Sequence, residues 1–437
     1  MSRPTRQPII TRLRRHGQRA SRSRAAGTSV ALLAAATLTV AGGPAAADPR
    51  TLLDPLPALV TADDAFYVPP TPLPDGKPGD LIRAEDIALS TYLNARAQKV
   101  MYLSTNNRGK HVAVTGLLLT PLNQQAGNNN PLVVHTPGTR GLADRCAPSK
   151  QADLLTLNPT SPEYAMAEYL QFLLKGISVI VSDYLGAGTP DLPEYLVGRS
   201  EGYNGLDALR AAMQVPGSGV SRTSPVGISG YSQGGQAAGW AAELQPSYAP
   251  ELRLEGVLAG GVPTDVLAVV NHLNGNPIGS GVPLAALIGL DAANPELGLD
   301  DRLTPRGRQV VEQVENSCYP ELIAAFGTTT VADVSEPDVL ADPRWQKRFT
   351  ESLLGTAAPG APAYIVHGSL DIIVPFDQGS HLYHEWCRLG ADVIFESTPA
   401  VDHVSTSVVG MTNGVNWLAD RLHDVEADQG CHEVGLS

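Results

Sequence analysis

The chain has little positive charge outside its N-terminus. Charged residues make up 17% of its 437 positions, and eight of the 31 basic side chains lie within the first 24 residues, which contain no acid. The remainder has 23 basic against 44 acidic side chains, a formal net charge of −21. Such an acidic surface repels polyanions, so nucleic acid is excluded as a partner. The 43% hydrophobic content excludes a disordered chain and indicates a globular core.

The apolar run near the N-terminus is too short for a membrane span. It covers 28–41, and a helix needs roughly 20 apolar residues to cross a bilayer. The basic stretch before it and the small residues Ala45, Ala46 and Ala47 after it are typical of a secretory signal over 1–47, cleaved before Asp48. The alternative is an N-terminal membrane anchor. We predict a secreted, extracellular protein.

Cysteine is scarce, and no two cysteines form a C-x-x-C pair. An even number in an exported chain predicts two disulfides, and three pairings of the four cysteines remain open. The segment 381–385 matches neither H-E-x-x-H nor H-x-x-E-H, so it does not indicate a zinc helix. We expect neither a metal nor an organic cofactor. The cysteines are Cys146, Cys318, Cys387 and Cys431.

The order of apolar runs predicts an α/β fold without internal repeats. A proline-rich arm over 48–80 cannot be helical, and eight short strand-like runs follow it. Helical signals at 205–213 and 235–244 lie between runs, which is typical of a mostly parallel eight-stranded sheet. The runs are 99–104, 112–119, 132–135, 177–182, 226–230, 254–260, 363–367 and 393–396.

An insertion separates the sixth and seventh runs. It covers 265–353, has helical periodicity and no clear strand, and divides a core formed by 81–264 and 354–437. Because it follows a strand at the carboxyl edge of the sheet, we predict a helical lid over the ligand site. The alternative is an oligomerisation element. Its apolar stretch 282–290 fits either an acyl tunnel or lipid contact, or equally the lid's own core.

The segment 230–234 reads Gly-Tyr-Ser-Gln-Gly between a predicted strand and a predicted helix. A G-x-S-x-G in this context is a nucleophile elbow, whose tight turn exposes the serine hydroxyl. The candidate nucleophile is therefore Ser232.

A serine nucleophile needs a histidine base and a carboxylate that orients it, in the chain order serine, acid, histidine. Asp371 follows the seventh strand and His403 follows the eighth, so these are the candidate acid and base. Asp377 and Glu396 are the alternative acids. His135 and His367 end strands and could line the pocket, but neither fits the chain order.

The oxyanion of an acyl-transfer intermediate needs backbone N–H donors. One usually comes from the residue after the nucleophile and one from the loop after the third strand. These positions predict Gln233 and, within the glycine-containing turn 136–141, Thr139.

Several segments together resemble the secretory lipase family. They are 135–139, 146–149, 182–188, 205–212 and 230–235 with the segments around Asp371 and His403, and they span about 50–435. The resemblance implies an α/β-hydrolase fold with a lid after the sixth strand, and hydrolysis of fatty-acyl esters by Ser232, Asp371 and His403. It also implies the disulfides Cys146–Cys318 and Cys387–Cys431. The turn 138–141 departs from the acidic version associated with fungal members.

The predicted function is that of a secreted serine ester hydrolase, foremost a triacylglycerol lipase. The alternatives are a soluble short-chain carboxylesterase, a serine peptidase on the same fold, and a non-catalytic cell-surface binding protein. The expected partner is a lipid or small ester, with a lipid–water interface as a further one. The oligomeric state stays open.

Overall fold

The computed structural model describes residues 65–87, 94–124, 129–151, 165–336 and 338–435. The predicted secretory signal and the first part of the proline-rich arm, 48–64, lie outside the described residues. Within these ranges no helix combines the length and apolarity that a membrane span requires.

The described residues form ten strands in one sheet, so the predicted number of eight was wrong. The two strands that were not predicted are β1 and β10, at opposite edges of the sheet. β1 carries charged residues and β10 is exposed along its whole length, so neither has the apolar run of a buried strand. The strands are β1 Leu81–Ile87, β2 Ala95–Thr105, β3 His111–Pro121, β4 Leu132–Thr136, β5 Ser178–Ser182, β6 Val226–Tyr231, β7 Leu254–Gly260, β8 Ala363–Gly368, β9 Val393–Thr398 and β10 Cys431–Gly435.

The sheet is antiparallel at one edge and parallel elsewhere. Its order is β1-β2-β3-β5-β4-β6-β7-β8-β9-β10, and the pairs from β5 to β10 are all parallel. The predicted α/β-hydrolase fold, with a mostly parallel sheet, is thereby confirmed. Because β1 precedes the predicted strands, the sixth predicted strand, 254–260, is numbered β7.

Helices cover both faces of the sheet and form the lid between β7 and β8. They are α1 Pro148–Gln151, α2 Met166–Leu174, α3 Gly198–Ala212, α4 Gln233–Tyr248, α5 Val266–Leu273, α6 Gly281–Ala293, α7 Pro305–Glu315, α8 Tyr319–Ala324, α9 Val331–Val334, α10 Pro343–Thr350, α11 Phe376–Arg388, α12 His403–Val409 and α13 Met411–Leu422.

Both faces of the sheet are buried, which explains the unbroken apolar runs. In β4, Leu132 and Val134 pack into the apolar cluster with α3 and α4, while Val133 packs into the opposite cluster with α2 and α13. Alternate residues of a strand point to opposite faces, so a strand covered on both sides is apolar at every position. Because β6, β7 and β8 are parallel, β6 and β8 end at the same carboxyl edge of the sheet.

The lid helices α5 to α10 have an apolar core of their own. The stretch 282–290 lies in α6, and its large side chains are buried in that core. Of the two interpretations of this stretch, the structure therefore shows the lid's core and not a surface for lipid. Val282 also contacts the cavity described below.

One disulfide ties the lid to the loop after β4. Cys146 pairs with Cys318, with Cα atoms 5.6 Å apart, and Cys387 pairs with Cys431. These are the pairs that the resemblance implies. Beside the first disulfide, Leu142 N–H donates to Ser317 O at 3.0 Å. The lid segment and the loop after β4 are thus held together by covalent and hydrogen bonds.

We expect loss of the Cys146–Cys318 disulfide to destabilise the protein more than loss of Cys387–Cys431. The first spans 172 residues and the second 44. The chain-entropy relation gives about 5 and about 4 kcal/mol for loops of these lengths, as upper values. Urea unfolding of the two double-alanine variants measures the difference. An equal or larger loss from the Cys387 and Cys431 pair would contradict this expectation.

Candidate active site

Ser232 lies in a sharp turn between β6 and α4. Its φ is +62°, in the left-handed region, which is costly for a residue with a side chain. The two glycines of the turn leave no room for a Cβ. A Cβ on Gly230 would lie 2.2 Å from Gly234 O, and one on Gly234 would lie 1.9 Å from Thr136 O. The sequence Gly-Tyr-Ser-Gln-Gly therefore folds into the elbow that holds the serine hydroxyl above the sheet edge.

The three residues chosen from the chain order meet at this edge. His403 Nε2 lies 2.9 Å from Ser232 Oγ, and His403 Nδ1 lies 2.5 Å from Asp371 Oδ2. A carboxylate accepts hydrogen bonds, so the proton is on Nδ1 and Nε2 is free to accept the serine proton. The geometry is that of a serine nucleophile with an oriented base.

Asp371 is held by the turn that follows β8. Its Oδ1 accepts the backbone N–H groups of Ile373 and Val374 at 3.0 and 2.8 Å, which leaves Oδ2 for the histidine. The two alternative acids are placed elsewhere. Asp377 is exposed in the first turn of α11, and Glu396 accepts the Tyr364 hydroxyl at 2.6 Å.

His403 begins helix α12. Asp402 caps this helix by accepting the N–H of Ser405, and the Tyr231 hydroxyl donates to His403 O at 2.7 Å. Because Tyr231 directly precedes Ser232, the elbow itself positions the histidine backbone. The imidazole is thus placed by a helix cap on one side and by the nucleophile's neighbour on the other.

The predicted oxyanion donors lie beside the serine. Gln233 is the first residue of α4, where backbone N–H groups have no partner within the helix. Thr139 lies in the turn after β4, and its hydroxyl is 2.7 Å from the Tyr195 hydroxyl. Both residues line the same cavity as Ser232. An oxyanion bound in this cavity needs backbone N–H donors, the role predicted for these two residues.

A largely apolar cavity of about 220 Å³ opens at the serine. Among the described residues that line it there is no lysine, arginine, aspartate or glutamate, so the cavity suits a neutral, apolar group. Its walls come from the lid as well as from the sheet edge. The apolar lining residues are Tyr195, Leu196, Tyr231, Pro263, Val269, Leu273, Val282, Tyr319, Pro320, Ile323, Ile373, Val374 and Val404.

The two strand-end histidines do not line this cavity. His135 is buried in the core, with Nδ1 3.2 Å from Glu168 Oε1. His367 Nε2 donates to Val374 O at 3.0 Å, and burial lowers the pKa of this histidine. We conclude that the pocket role considered for His135 and His367 was wrong. A neutral His367 supports the backbone of the turn that holds Asp371.

No sequence pattern indicated a role for Glu201, a buried carboxyl group in α3. Glu201 Oε1 accepts the side-chain amide of Gln233 at 2.6 Å and Leu196 N–H at 3.0 Å. Burial raises the pKa of Glu201 to about 8. The contact joins α3 to the first residue of α4 across 32 positions, and no local sequence pattern indicates such a pair.

The raised pKa of Glu201 predicts that the free energy of unfolding falls as pH rises. Its folded pKa of about 8 lies above the usual value of 4.5, so the folded state keeps a proton that the unfolded state releases. Its contribution is complete below pH 4.5 and is lost up to about pH 8, at about 1.4 kcal/mol per pH unit. Glu201→Gln should reduce this slope when unfolding is measured at pH 4.5 to 8.

Other buried carboxyls keep part of the slope in that variant, since burial also raises the pKa of Asp183 to about 6 and of Asp207 to about 7. The exposed Glu312→Gln is the matched control. A slope in Glu201→Gln equal to that of the control would contradict a protonated Glu201.

In the part of the chain that the structure describes, no group of three or more histidine, cysteine, aspartate or glutamate residues is arranged to hold a metal ion.

The chain is similar to known lipases. A secreted triacylglycerol lipase of Malassezia globosa is 29% identical over 390 residues, which cover 86% of this chain and 84% of the relative. A probable inactive lipase of Mycobacterium tuberculosis is 28% identical over 381 residues, 83% of each chain. The crystal structure of Candida antarctica lipase A in its closed state superposes with a TM-score of 0.76 at 23% identity, covering 84% of this chain and 88% of that one.

The family assignment rests on a match to a family model. Residues 151–430 match the family model described as Secretory lipase. The match includes the elbow, the lid and both segments that carry the acid and the base. Because it covers more than half of the chain, this protein belongs to the secretory lipase family of carboxylic ester hydrolases.

Proposed function

We propose that this protein is a secreted triacylglycerol lipase in which Ser232, His403 and Asp371 form the catalytic triad. The observation that carries the proposal is the hydrogen-bonded series from hydroxyl to imidazole to carboxylate at the opening of an apolar cavity. Family membership alone is insufficient, since one relative is named a probable inactive lipase. The support comes from the side-chain geometry.

The geometry supports an acyl-enzyme mechanism. His403 Nε2 accepts the Ser232 proton as Oγ attacks the ester carbonyl, and Asp371 stabilises the resulting imidazolium. The Gln233 and Thr139 N–H groups bind the oxyanion, each worth about 10²- to 10³-fold in rate. His403 then protonates the departing alcohol and activates the water that releases the fatty acid. Each step uses protein groups and water, so the proposal requires no cofactor.

The lining of the cavity supports an acyl substrate over a peptide. A peptidase that binds a free peptide amine needs an acidic group near the nucleophile, and none of the cavity-lining residues in the described part of the chain carries a carboxylate. The apolar walls instead provide a favourable environment for an alkyl chain.

Hydrolysis of emulsified trioleoylglycerol, compared with soluble tributyrin below saturation, tests the proposal. We expect release of fatty acid from both substrates and none from aminoacyl-arylamides. Hydrolysis of tributyrin alone would identify a soluble carboxylesterase and overturn the lipase proposal. Cleavage of the arylamides at a comparable rate would favour a peptidase.

A further inference from the structure

Glu201 is hydrogen-bonded to two residues that line the catalytic cavity. Its Oε1 accepts the side-chain amide of Gln233 at 2.6 Å and the backbone N–H of Leu196 at 3.0 Å. Gln233 and Leu196 both line the cavity at Ser232. Gln233 also supplies one of the two backbone N–H groups that we propose to bind the oxyanion. The carboxyl group of Glu201 is therefore in direct contact with one side of the oxyanion site.

The segment formed by Tyr195 and Leu196 connects Glu201 with the other proposed donor. The Tyr195 hydroxyl lies 2.7 Å from the hydroxyl of Thr139, and both residues line the cavity. Glu201 thus reaches Thr139 through the Leu196 N–H, the adjoining Tyr195 and its hydroxyl. Both residues that we propose as oxyanion donors are linked to the same buried carboxyl group.

The backbone at Leu196 is strained and has to be held by its surroundings. Its φ is +58°, in the left-handed region, which is costly for a residue with a side chain. Glu201 holds this residue by accepting its N–H. In addition, lid helix α6 packs against the neighbouring Tyr195, since a Cβ on Gly289 would lie 2.4 Å from Tyr195 O. Removal of the Glu201 side chain should release one of these two restraints.

Glu201 can orient Gln233 without adding charge to the oxyanion site. The side chain is buried, and burial raises the pKa of Glu201 to about 8, so the group is protonated at neutral pH. In a protonated carboxyl group the carbonyl oxygen accepts hydrogen bonds and the hydroxyl donates one. Oε1, which accepts both N–H groups, is therefore the carbonyl oxygen, and the proton is on Oε2. A neutral acid does not oppose the negative charge that develops on the substrate oxygen.

We infer that Glu201 is a positioning residue for the oxyanion site, on which it acts through the Gln233 side chain and through the segment of Tyr195 and Leu196. This inference rests on the proposed function. Loss of the carboxyl group should leave the nucleophile in place while the donors shift. A displacement of about 1 Å can cost about 10²-fold in rate. Because the oxyanion forms only in the reaction, the loss should appear in kcat and not in KM.

Kinetics with soluble p-nitrophenyl butyrate test the inference. We expect Glu201→Ala to lower kcat about 10- to 100-fold, with KM within about twofold of the wild-type value. Glu201→Gln keeps an oxygen that can accept both N–H groups and places N–H donors at the position of the protonated Oε2. Its kcat should therefore recover to within about threefold of the wild-type value.

Glu243→Ala is the matched control. Glu243 is also a buried carboxyl group, and it accepts the Trp386 indole N–H at 2.9 Å and the Gly355 N–H at 2.7 Å. It does not line the cavity. Its loss should lower the thermal stability and leave kcat of the folded fraction at the wild-type value. Thermal melts set an assay temperature at which each variant is folded.

Inhibition by butylboronic acid reports on the oxyanion site itself. Boron forms a tetrahedral adduct with a serine nucleophile, and one oxygen of the adduct occupies the position of the oxyanion. In Glu201→Ala the inhibition constant should rise by about the factor by which kcat falls, because both depend on the same donors. In Glu201→Gln and Glu243→Ala it should stay close to the wild-type value.

Gln233→Ala tests the contact from its other end and does not require Glu201→Ala to fold. It keeps the backbone N–H of the donor and removes the amide that Glu201 holds. We expect kcat to fall about tenfold. The double variant Glu201→Ala/Gln233→Ala should lose little more than Glu201→Ala alone, because both substitutions break the same contact.

Wild-type kcat in Glu201→Ala or in Gln233→Ala would overturn the positioning role. So would an equal loss of kcat in Glu243→Ala, because any buried carboxyl group would then have the same effect. Failure of the proposed function looks different. A protein that hydrolyses p-nitrophenyl butyrate with the expected dependence on Glu201, but releases no fatty acid from emulsified trioleoylglycerol, would support the positioning role while overturning the lipase activity.

Discussion

Ser232→Ala is expected to lower kcat for p-nitrophenyl butyrate by about 10⁵- to 10⁶-fold, since loss of a serine nucleophile removes the acyl-enzyme route. Residual turnover above the rate in water should come from the oxyanion donors and substrate binding. The substitution removes one hydroxyl from a half-buried position, so thermal stability should change little. Stopped assays at high enzyme concentration measure the residual rate.

Covalent labelling identifies the nucleophile independently of turnover. A fluorophosphonate should label the wild type at Ser232 and should not label Ser232→Ala. Ser247→Ala is the matched control, because Ser247 lies in the same helix α4, exposed, with its hydroxyl bonded to Leu244 O. Labelling of Ser232→Ala at the wild-type rate would show that another residue is the nucleophile.

Asp371→Asn is expected to lower kcat by about 10⁴-fold. The carboxylate accepts the Nδ1 proton of His403 at 2.5 Å, and an amide in its place can present N–H and so favour the wrong tautomer of the imidazole. The Ile373 and Val374 N–H groups can still bond the amide oxygen, which keeps the turn in place. Kinetics with p-nitrophenyl butyrate at pH 6 to 9 measure the loss.

The two alternative acids provide the controls for Asp371→Asn. Asp377→Asn should retain wild-type kcat because its side chain is exposed on α11. Glu396→Gln leaves one acceptor oxygen for two donors, the Tyr364 hydroxyl and the Asn413 amide, so it should lower stability with little change in kcat of the folded fraction. A 10⁴-fold loss in either control, with Asp371→Asn near wild type, would assign the acid elsewhere.

Most buried strands could be predicted from the sequence because burial on both faces makes a parallel strand continuously apolar. The predicted runs at 132–135 and 254–260 correspond to β4 and β7 almost residue for residue. β1 and β10 could not be predicted, since an edge strand is stabilised by pairing with its neighbour and needs no apolar run. Exposed edge residues therefore resemble loop residues in composition.

The candidate site also has parts that could be predicted from the sequence and parts that could not. The elbow could be predicted because its pattern lies within five residues. A side chain on either of its two glycines would clash with backbone atoms. The positions of Asp371 and His403 after strands could be inferred because parallel strands end at one edge. The contact between Glu201 and Gln233 could not, since burial in a folded protein creates both the pair and the raised pKa of the carboxyl.

The sequence by itself determined the fold class, the strained serine turn and the chain order of nucleophile, acid and base, because each depends on local residue pattern and strand order. Tertiary structure alone decided which side chains meet. In the folded protein the apolar stretch of the lid is buried, whereas apolar side chains of α12 are exposed. The same packing places His135 and His367 away from the cavity and brings Glu201 into contact with Gln233. The reason is physical: distance and burial arise from packing among segments far apart in the chain, and no single segment specifies them.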